Sequence, residues 1–467
     1  MKKRAYDITS AQSIVDYGKV LLGHSLRELY PDAKMINGKG GLGNMVEFYH
    51  YNYEPNSESR PDFPEAGLEL KCTPLKLLSD KSMGAKERLV LNIINYIDEA
   101  DKSFETSSFW NKNKFLLLMF YLHESGVDPV DMLFKLIRTW DFPEEDLKII
   151  RDDWAKIHLM ISKGKADELT EGLTLYLAAC MKGSKAGQDM RKQPLSDKLA
   201  QQRAYSLKTG YINKIILSSY LDENLRQQLK ISDKRVLALQ KRFSSDNVVK
   251  SVNEYKPGET FEDLIERRMK PYYGKTVRQI VKEVKVDLGT SSKDFAYHVC
   301  RAILGVKTKR IREFENAGVS LKTISLEANR DAIKESMSFP YIRFVRIANQ
   351  NWEDSEWYSQ LTSRFLFVVF RKSANKDKLD MTLEKVFFWN MPLADLKVAE
   401  ELWEDTKQKV VIGDYNTFIT SKSHPICHVR PHGTKGQTVD TPQGDRVQPK
   451  CFWLNNDYIL DVVKSNL

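Results

Sequence analysis

Pro61-Asp62-Phe63-Pro64-Glu65-Ala66-Gly67-Leu68-Glu69-Leu70-Lys71 decides the fold, because a degraded copy of it returns later in the chain. The copy is Arg312-Glu313-Phe314-Glu315-Asn316-Ala317-Gly318-Val319-Ser320-Leu321-Lys322. Three more segments return in the same order. Phe104-Glu105-Thr106-Ser107, before the apolar run Lys114 to Tyr121, is matched by Trp352-Glu353-Asp354-Ser355 before Phe365 to Phe370. Arg151-Asp152-Asp153-Trp154 has a looser echo in Leu402-Trp403-Glu404-Asp405, and Tyr205 to Tyr211 returns as Phe452 to Tyr458. Four matches in register imply an internal duplication, with Lys39 to Tyr211 repeated between Lys293 and Tyr458.

The first copy carries chemistry that the second has lost. In a strand, alternate side chains share a face, so Glu69 and Lys71 project together while Leu68 and Leu70 enter the core. Asp62 precedes Pro64 and Gly67, a turn able to return its carboxylate beside Glu69. Two hard oxygen ligands of this kind suit Mg²⁺, and a neighbouring lysine suits charge building on a phosphate. As a bare spacing, the pattern also describes a surface hairpin with an i,i+2 ion pair. Upstream, Lys39-Gly40-Gly41-Leu42-Gly43-Asn44-Met45-Val46-Glu47 has glycines that permit close approach to a phosphate, and a third acid, Glu47, on an apolar helical segment. No G-K-[ST] follows, so a nucleotide-binding loop is not expected.

Around this motif the chain is long enough, at 467 residues, for two or three domains, and 42% hydrophobic content supports real cores. Strands are expected at Gly67 to Thr73, Leu89 to Tyr96 and Lys114 to Tyr121, and helices at Ala11 to Tyr30 and Pro143 to Lys163. The polar stretch from Asp222 to Lys270 reads as a partly helical connection, giving domains at 1–222 and 271–467 with a linker at 223–270. A net charge of +9 favours a polyanionic partner. No apolar run reaches membrane-span length, the charged start shows no secretory signal, and five scattered cysteines lack any CxxC pair. A reduced, cytoplasmic protein is expected. His424, Cys427, His428 and His432 lack a second ligand pair at finger spacing, so loop or nucleic-acid contact is expected there rather than zinc. The eight histidines fall in no triad context, which argues against a Ser/His hydrolase.

The run from Lys39 to Lys71, with Glu105-Thr106-Ser107, Arg151-Asp152-Asp153-Trp154, Leu207-Lys208 and Lys86 to Tyr96, resembles the mismatch-repair nicking endonuclease MutH. The whole chain looks more like the long type II restriction endonucleases that cut at GATC, tandem MutH-like proteins whose second half has lost catalysis. The resemblance implies an α/β (α+β) fold of two tandem PD-(D/E)xK domains, each a mixed sheet flanked by helices. It also implies Mg²⁺ and double-stranded DNA. Carried over, Asp62 and Glu69 match the metal-binding carboxylates and Lys71 the catalytic lysine. Glu47 matches a further active-site acid, and Lys39 and Lys112 match lysines near the scissile phosphate. Where the family reads bases with an Arg-Pro-Lys run, this chain has Cys180-Met181-Lys182, so only Lys182 carries over; Tyr205 and Lys208 fall on a further DNA-contacting strand.

Aligning the copies puts Ser320 at Glu69, Glu313 at Asp62 and Arg301 at Glu47, while Lys322 keeps the lysine. Such changes dismantle a divalent site but leave positive charge for a phosphate. Cys427-His428-Val429-Arg430-Pro431-His432 resembles the base-reading run better than the first copy does; Arg430 could reach a guanine edge there, the alternative being an ordinary surface arginine. The second half is therefore expected to bind DNA as an effector module. One active site per chain further implies dimerisation on DNA, two GATC sites, or sequential nicking. The rival readings are a strand-nicking repair endonuclease and a non-enzymatic DNA-binding regulator.

Overall fold

The computed structural model describes residues 4–34, 41–55, 58–182, 189–229, 246–286, 295–308, 310–375, 377–434 and 436–467, with isolated positions between 232 and 239. They form two compact units. One comprises Met1–Leu169, Leu173–Glu254 and Thr308–Gly318; the other comprises Thr170–Gly172, Tyr255–Lys307 and Val319–Leu467. Of the segment expected to be a linker, residues 223–229 and 246–254 fall in the first unit and residues 255–270 in the second. Its helix Phe261–Met269 buries Phe261, Leu264, Ile265 and Met269. The segment Thr308–Gly318, part of the sequence repeat, belongs to the first unit for a local reason. Glu313 there accepts the backbone N–H groups of Val248 and Val249 at 3.0 and 3.1 Å. Gly210 lets the chain pass close by: a Cβ at that position would lie 2.5 Å from the carbonyl oxygens of Glu315 and Asn316.

In the first unit, a mixed sheet has the order β2 (Met83–Ala85), β1 (Glu69–Leu77), β4 (Phe115–Leu122), β5 (Phe134–Asp141). β1 and β4 run parallel, with Glu69 opposite Leu116 and Lys71 opposite Leu118; the other pairs are antiparallel. β4 is the centre of this sheet, and Leu116 to Phe120 are all fully buried. Such a run stabilises by roughly 1.5–3 kcal/mol per side chain before entropy is counted. A second, antiparallel sheet has the order β3 (Leu89–Ile93), β9 (Arg203–Leu207), β6 (Leu177–Met181). β7 (Met190–Gln193) and β8 (Ser196–Gln201) form a separate hairpin. The helix Glu144–Ser162 starts on Pro143 with three acids in its first turn, which suits the positive end of its dipole. Its Asp153 accepts the backbone N–H groups of Leu175, Tyr176 and Leu177 at 2.8, 2.6 and 2.9 Å, which ties the helix to β6.

The helix expected over Ala11 to Tyr30 is broken. Ala11–Gly18 is helical, a short 3₁₀ turn covers Lys19–Leu21, and Leu26–Leu29 starts afresh. Gly23 at φ +82° turns the chain, and Ser25 with Glu28 forms a capping box for the new helix.

The second unit repeats these elements at the same register. β10 (Ser320–Leu326) runs parallel to β12 (Phe365–Arg371), with Ser320 opposite Phe365, and β12 pairs antiparallel with β13 (Thr382–Trp389). β11 (Met337–Tyr341), β15 (Lys450–Leu454) and β14 (Cys427–Pro431) form the counterpart of the β3-β9-β6 sheet. Both first strands are led in by a left-handed glycine, Gly67 at φ +62° and Gly318 at φ +65°. Both long helices begin after a proline, Pro143 and Pro392. Counting from those prolines sets Trp154 against Trp403, both buried, which shifts the looser sequence echo by two residues. Equivalent tyrosines tie into these helices: Tyr211 Oη donates to Asp146 at 2.9 Å and Tyr458 Oη to Asp395 at 2.7 Å. The duplication is therefore carried by side-chain contacts as well as by strand order.

Candidate active site

The turn before β1 folds back on itself. Phe63 and Leu68 exchange backbone hydrogen bonds at 3.0 and 3.1 Å, closed by the left-handed Gly67. That places the Asp62 backbone N–H on Glu69 Oε2 at 3.0 Å, while Asp62 Oδ2 accepts from the Leu70 N–H at 3.0 Å. Leu68 and Leu70 are buried, as the strand alternation requires, but Glu69 on the other face is also only 1% exposed. Lys71 donates to Glu69 Oε1 at 2.5 Å. Lys112, from the helix Ser108–Asn113, lies 3.6 Å from the same oxygen and donates to the Glu58 carbonyl at 2.8 Å. Glu47 sits on Val46–His50, a π-type continuation of the helix Leu42–Met45. Local π geometry recurs at functional sites. Glu47, Asp62, Glu69, Lys71 and Lys112 line one open cleft of about 1020 Å³.

Three acids around one cleft repel one another. Burial pushes Glu69 up to about 7, with Asp62 adding to the rise and Lys71 and Lys112 opposing it. Burial likewise pushes Glu47 up to about 8, reinforced by Asp62 and Glu69. Burial alone would lower Lys71, but the facing Glu69, Asp62 and Glu47 outweigh it and hold its ammonium above the usual lysine value. This donor set fits a hard divalent cation, which would hold the crowded carboxylates ionised. Among the described residues no three His, Cys, Asp or Glu side chains converge closely enough to cage a metal unaided. Mg²⁺ commonly keeps waters and takes phosphate oxygens alongside one or two carboxylates, so such a cage is not required.

The model of the DNA mismatch repair enzyme MutH matches this chain twice, over residues 51–153 and 304–401. The first match contains Asp62, Glu69, Lys71 and Lys112. The type II restriction enzyme Sau3AI of Staphylococcus aureus is 32% identical, across 98% of this chain and 99% of the relative. This chain belongs to the same restriction-enzyme family. MutH of Vibrio campbellii is 23% identical over 46% of this chain and 96% of its own length, and MutH of Shewanella woodyi is 26% identical over 30% and 58%. Membership makes the chain a site-specific deoxyribonuclease. It has the mixed α/β architecture of tandem MutH-like domains. Among the described residues no helix is long and apolar enough to cross a membrane.

The remaining sequence-predicted residues of this family member are not all at the cleft. Lys39 lies outside the described residues. Lys182 is exposed just beyond β6, where its backbone N–H donates to Gln202. Tyr205 is fully buried on β9, and its hydroxyl donates to Glu99 at 3.1 Å. Lys208 is half-buried, and its ammonium donates to the Thr174 carbonyl. In the second unit, Ser320 and Lys322 take the strand positions of Glu69 and Lys71. Lys322 rests over the Phe339 ring at 5.2 Å, and burial lowers its ammonium below the usual lysine value. Arg301 is half-buried on the helix Phe295–Ile303. Glu313, aligned with Asp62, has its carboxylate committed to the Val248 and Val249 N–H groups. Arg430 is exposed at the end of β14, stacked on Trp453 at 3.7 Å, where the first unit has the buried Cys180. His424 Nδ1 accepts the Cys427 N–H at 3.1 Å, and His428, buried on β14, meets Asn455 at 2.6 Å, so both rings have partners within the fold. Sequence reasoning missed Glu99, buried beside Tyr205; in Asp98-Glu99-Ala100-Asp101 nothing distinguishes it from a solvated helix acid.

Proposed function

We propose that this restriction enzyme cuts double-stranded DNA at GATC with Mg²⁺ at the Asp62–Glu69–Lys71 cleft, and that its second unit does not cut but binds DNA as an effector. One observation carries the reading: the turn at Gly67 ties Asp62 to Glu69 through its backbone N–H and Lys71 donates to the same Glu69 carboxylate, while the matched strand of the second unit offers Ser320 in place of Glu69. Asp62 and Glu69 would hold the ion, with Glu47 as a third acid. Bound Mg²⁺ supplies neutralisation of the scissile phosphate. Lys71, kept charged by its acidic neighbours, donates toward the phosphate oxygens and orients the attacking water. Lys112 adds a second cation beside Glu69. Lys39, Lys182 and Lys208 belong to the DNA-facing set of this reading, and Arg430, Lys322 and Arg301 to the effector surface. Cutting both strands with one site per chain calls for dimerisation on DNA across two GATC sites, or two successive nicks.

Cleavage of a supercoiled plasmid with and without Mg²⁺, with the ends mapped, tests this reading. Mg²⁺-dependent linear fragments ending at GATC are expected. Nicked circles alone would favour the strand-nicking activity of the MutH relatives. DNA binding without any cutting by the folded protein would leave a non-enzymatic regulator.

A further inference from the structure

A polar clasp surrounds the helix that carries Lys112. Glu99, 2% exposed, receives Tyr205 Oη at 3.1 Å and Trp154 Nε1 at 3.4 Å on one carboxylate oxygen. Its other oxygen receives the backbone N–H of Ser108, the first residue of the helix, at 3.3 Å. On the opposite side, Asn92 Nδ2 donates to Ser108 Oγ at 3.2 Å, and Asn92 Oδ1 accepts from Asn113 at 2.8 Å. A buried carboxylate with three neutral donors is an expensive way to join three helices and a strand.

The second unit makes the same junction without it. Its equivalent helix, Glu356–Leu361, begins on Ser355 as the first begins on Ser107. The strand registers and helix caps place Ile347 at Glu99, Phe452 at Tyr205, Pro340 at Asn92, Glu356 at Ser108 and Leu361 at Asn113. Ile347, Phe452 and Leu361 are buried, and Phe452 stacks on Trp357 at 4.0 Å. The apolar junction therefore folds. The same unit has Ser320 at Glu69 and Gln360 at Lys112, so the polar clasp is missing where the acidic site and its second lysine are missing.

We infer that Glu99 is a positioning residue for DNA cleavage: with Tyr205 and Trp154 it fixes the first turn of the helix Ser108–Asn113, and so holds the Lys112 ammonium at Glu69. The inference rests on the proposed role of Lys112 at the cleft. A displacement of about 1 Å at a reacting centre costs roughly 100-fold in rate. A misaligned Lys112 should thus lower kcat and leave KM for DNA unchanged.

The test is a double-mutant cycle in the full chain, measuring single-turnover cleavage of a GATC duplex with Mg²⁺ for Glu99→Gln, Lys112→Ala and the pair. Glu99→Gln alone is expected to slow cleavage roughly 10- to 100-fold. In the Lys112→Ala background the same change should cost less than about twofold, because the group it positions is gone. A loss of equal size in both backgrounds would mean a general structural role and overturn the inference, as would a wild-type rate for Glu99→Gln. Should Glu99→Gln fail to fold, Tyr205→Phe removes a single oxygen and puts the second unit's residue in place. It is expected to show a smaller loss with the same non-additivity, and additivity there would likewise overturn the inference. Lys112→Ala cutting at the wild-type rate would instead remove Lys112 from the proposed site, and the inference with it.

Discussion

Replacing His50 with glutamine should make the protein less sensitive to acid. His50 is 2% exposed, with Nε2 at 3.0 Å from the Tyr17 carbonyl and Nδ1 at 2.9 Å from Tyr30 Oη. Its ring stacks on Tyr17 at 4.4 Å and meets Tyr51 edge-on at 4.9 Å, so the groups facing it are phenols. Burial depresses its imidazole from 6.5 to about 4, against the hydrogen bond to the Tyr17 carbonyl. The unfolded chain therefore takes up a proton that the folded chain refuses. The associated stability is fully present above about pH 6.5 and is lost as pH falls toward 4. At about 1.4 kcal/mol per pH unit, the loss is about 2 kcal/mol by pH 5 and approaches about 3 kcal/mol near pH 4. Glutamine can donate to Tyr17 and accept from Tyr30 but does not titrate. Urea unfolding of wild type and His50→Gln at pH 7.5 and pH 5.0 measures the difference. Wild type should lose about 2 kcal/mol more than the variant, and equal losses in the two proteins would refute the reasoning. His50 closes the turn that carries Glu47, so acid is expected to loosen the cleft from that side.

Gly67→Ala meets no atom within 4 Å, so its cost is the left-handed backbone at φ +62°, about 1–2 kcal/mol. Because that turn sets Asp62 against Glu69, cleavage should fall more than the melting temperature does; unchanged cleavage would mean that the turn is not what aligns the acids. Asp153→Ala strands three buried backbone N–H groups and should destabilise the first unit by about 3 kcal/mol; a denaturation midpoint equal to wild type would contradict this. Arg430→Ala should weaken binding of a GATC duplex by the full chain by about 1–3 kcal/mol and narrow its preference over a duplex lacking the site. Unchanged affinity and preference would leave Arg430 an ordinary surface residue.

The sequence was most informative where periodicity and spacing act over a few residues. The alternation Leu68-Glu69-Leu70-Lys71 and the Pro64–Gly67 turn are local, and β1 with its folded-back Asp62 follows from them. Duplication was legible because both copies keep the residues that make the same contacts, such as Tyr211 and Tyr458 on Asp146 and Asp395. What was not legible depends on long-range burial. Tyr205 alternates like any strand tyrosine, and only the packing of Glu99 and Trp154 against it shows that its hydroxyl is internal. The break at Gly23 was hidden by apolar spacing that continues on both sides of it. The β7–β8 hairpin is polar on most positions and carries no hydrophobic pattern to read.

Plasmid cleavage by Glu69→Ala and Lys322→Ala variants tests most directly the claim that the first unit alone cuts. Glu69→Ala should abolish Mg²⁺-dependent cutting while the folded protein still binds DNA, and Lys322→Ala should still produce linear product. Residual cutting by Glu69→Ala at a rate near wild type, or its loss in Lys322→Ala with DNA binding intact, would place the chemistry elsewhere and contradict the account.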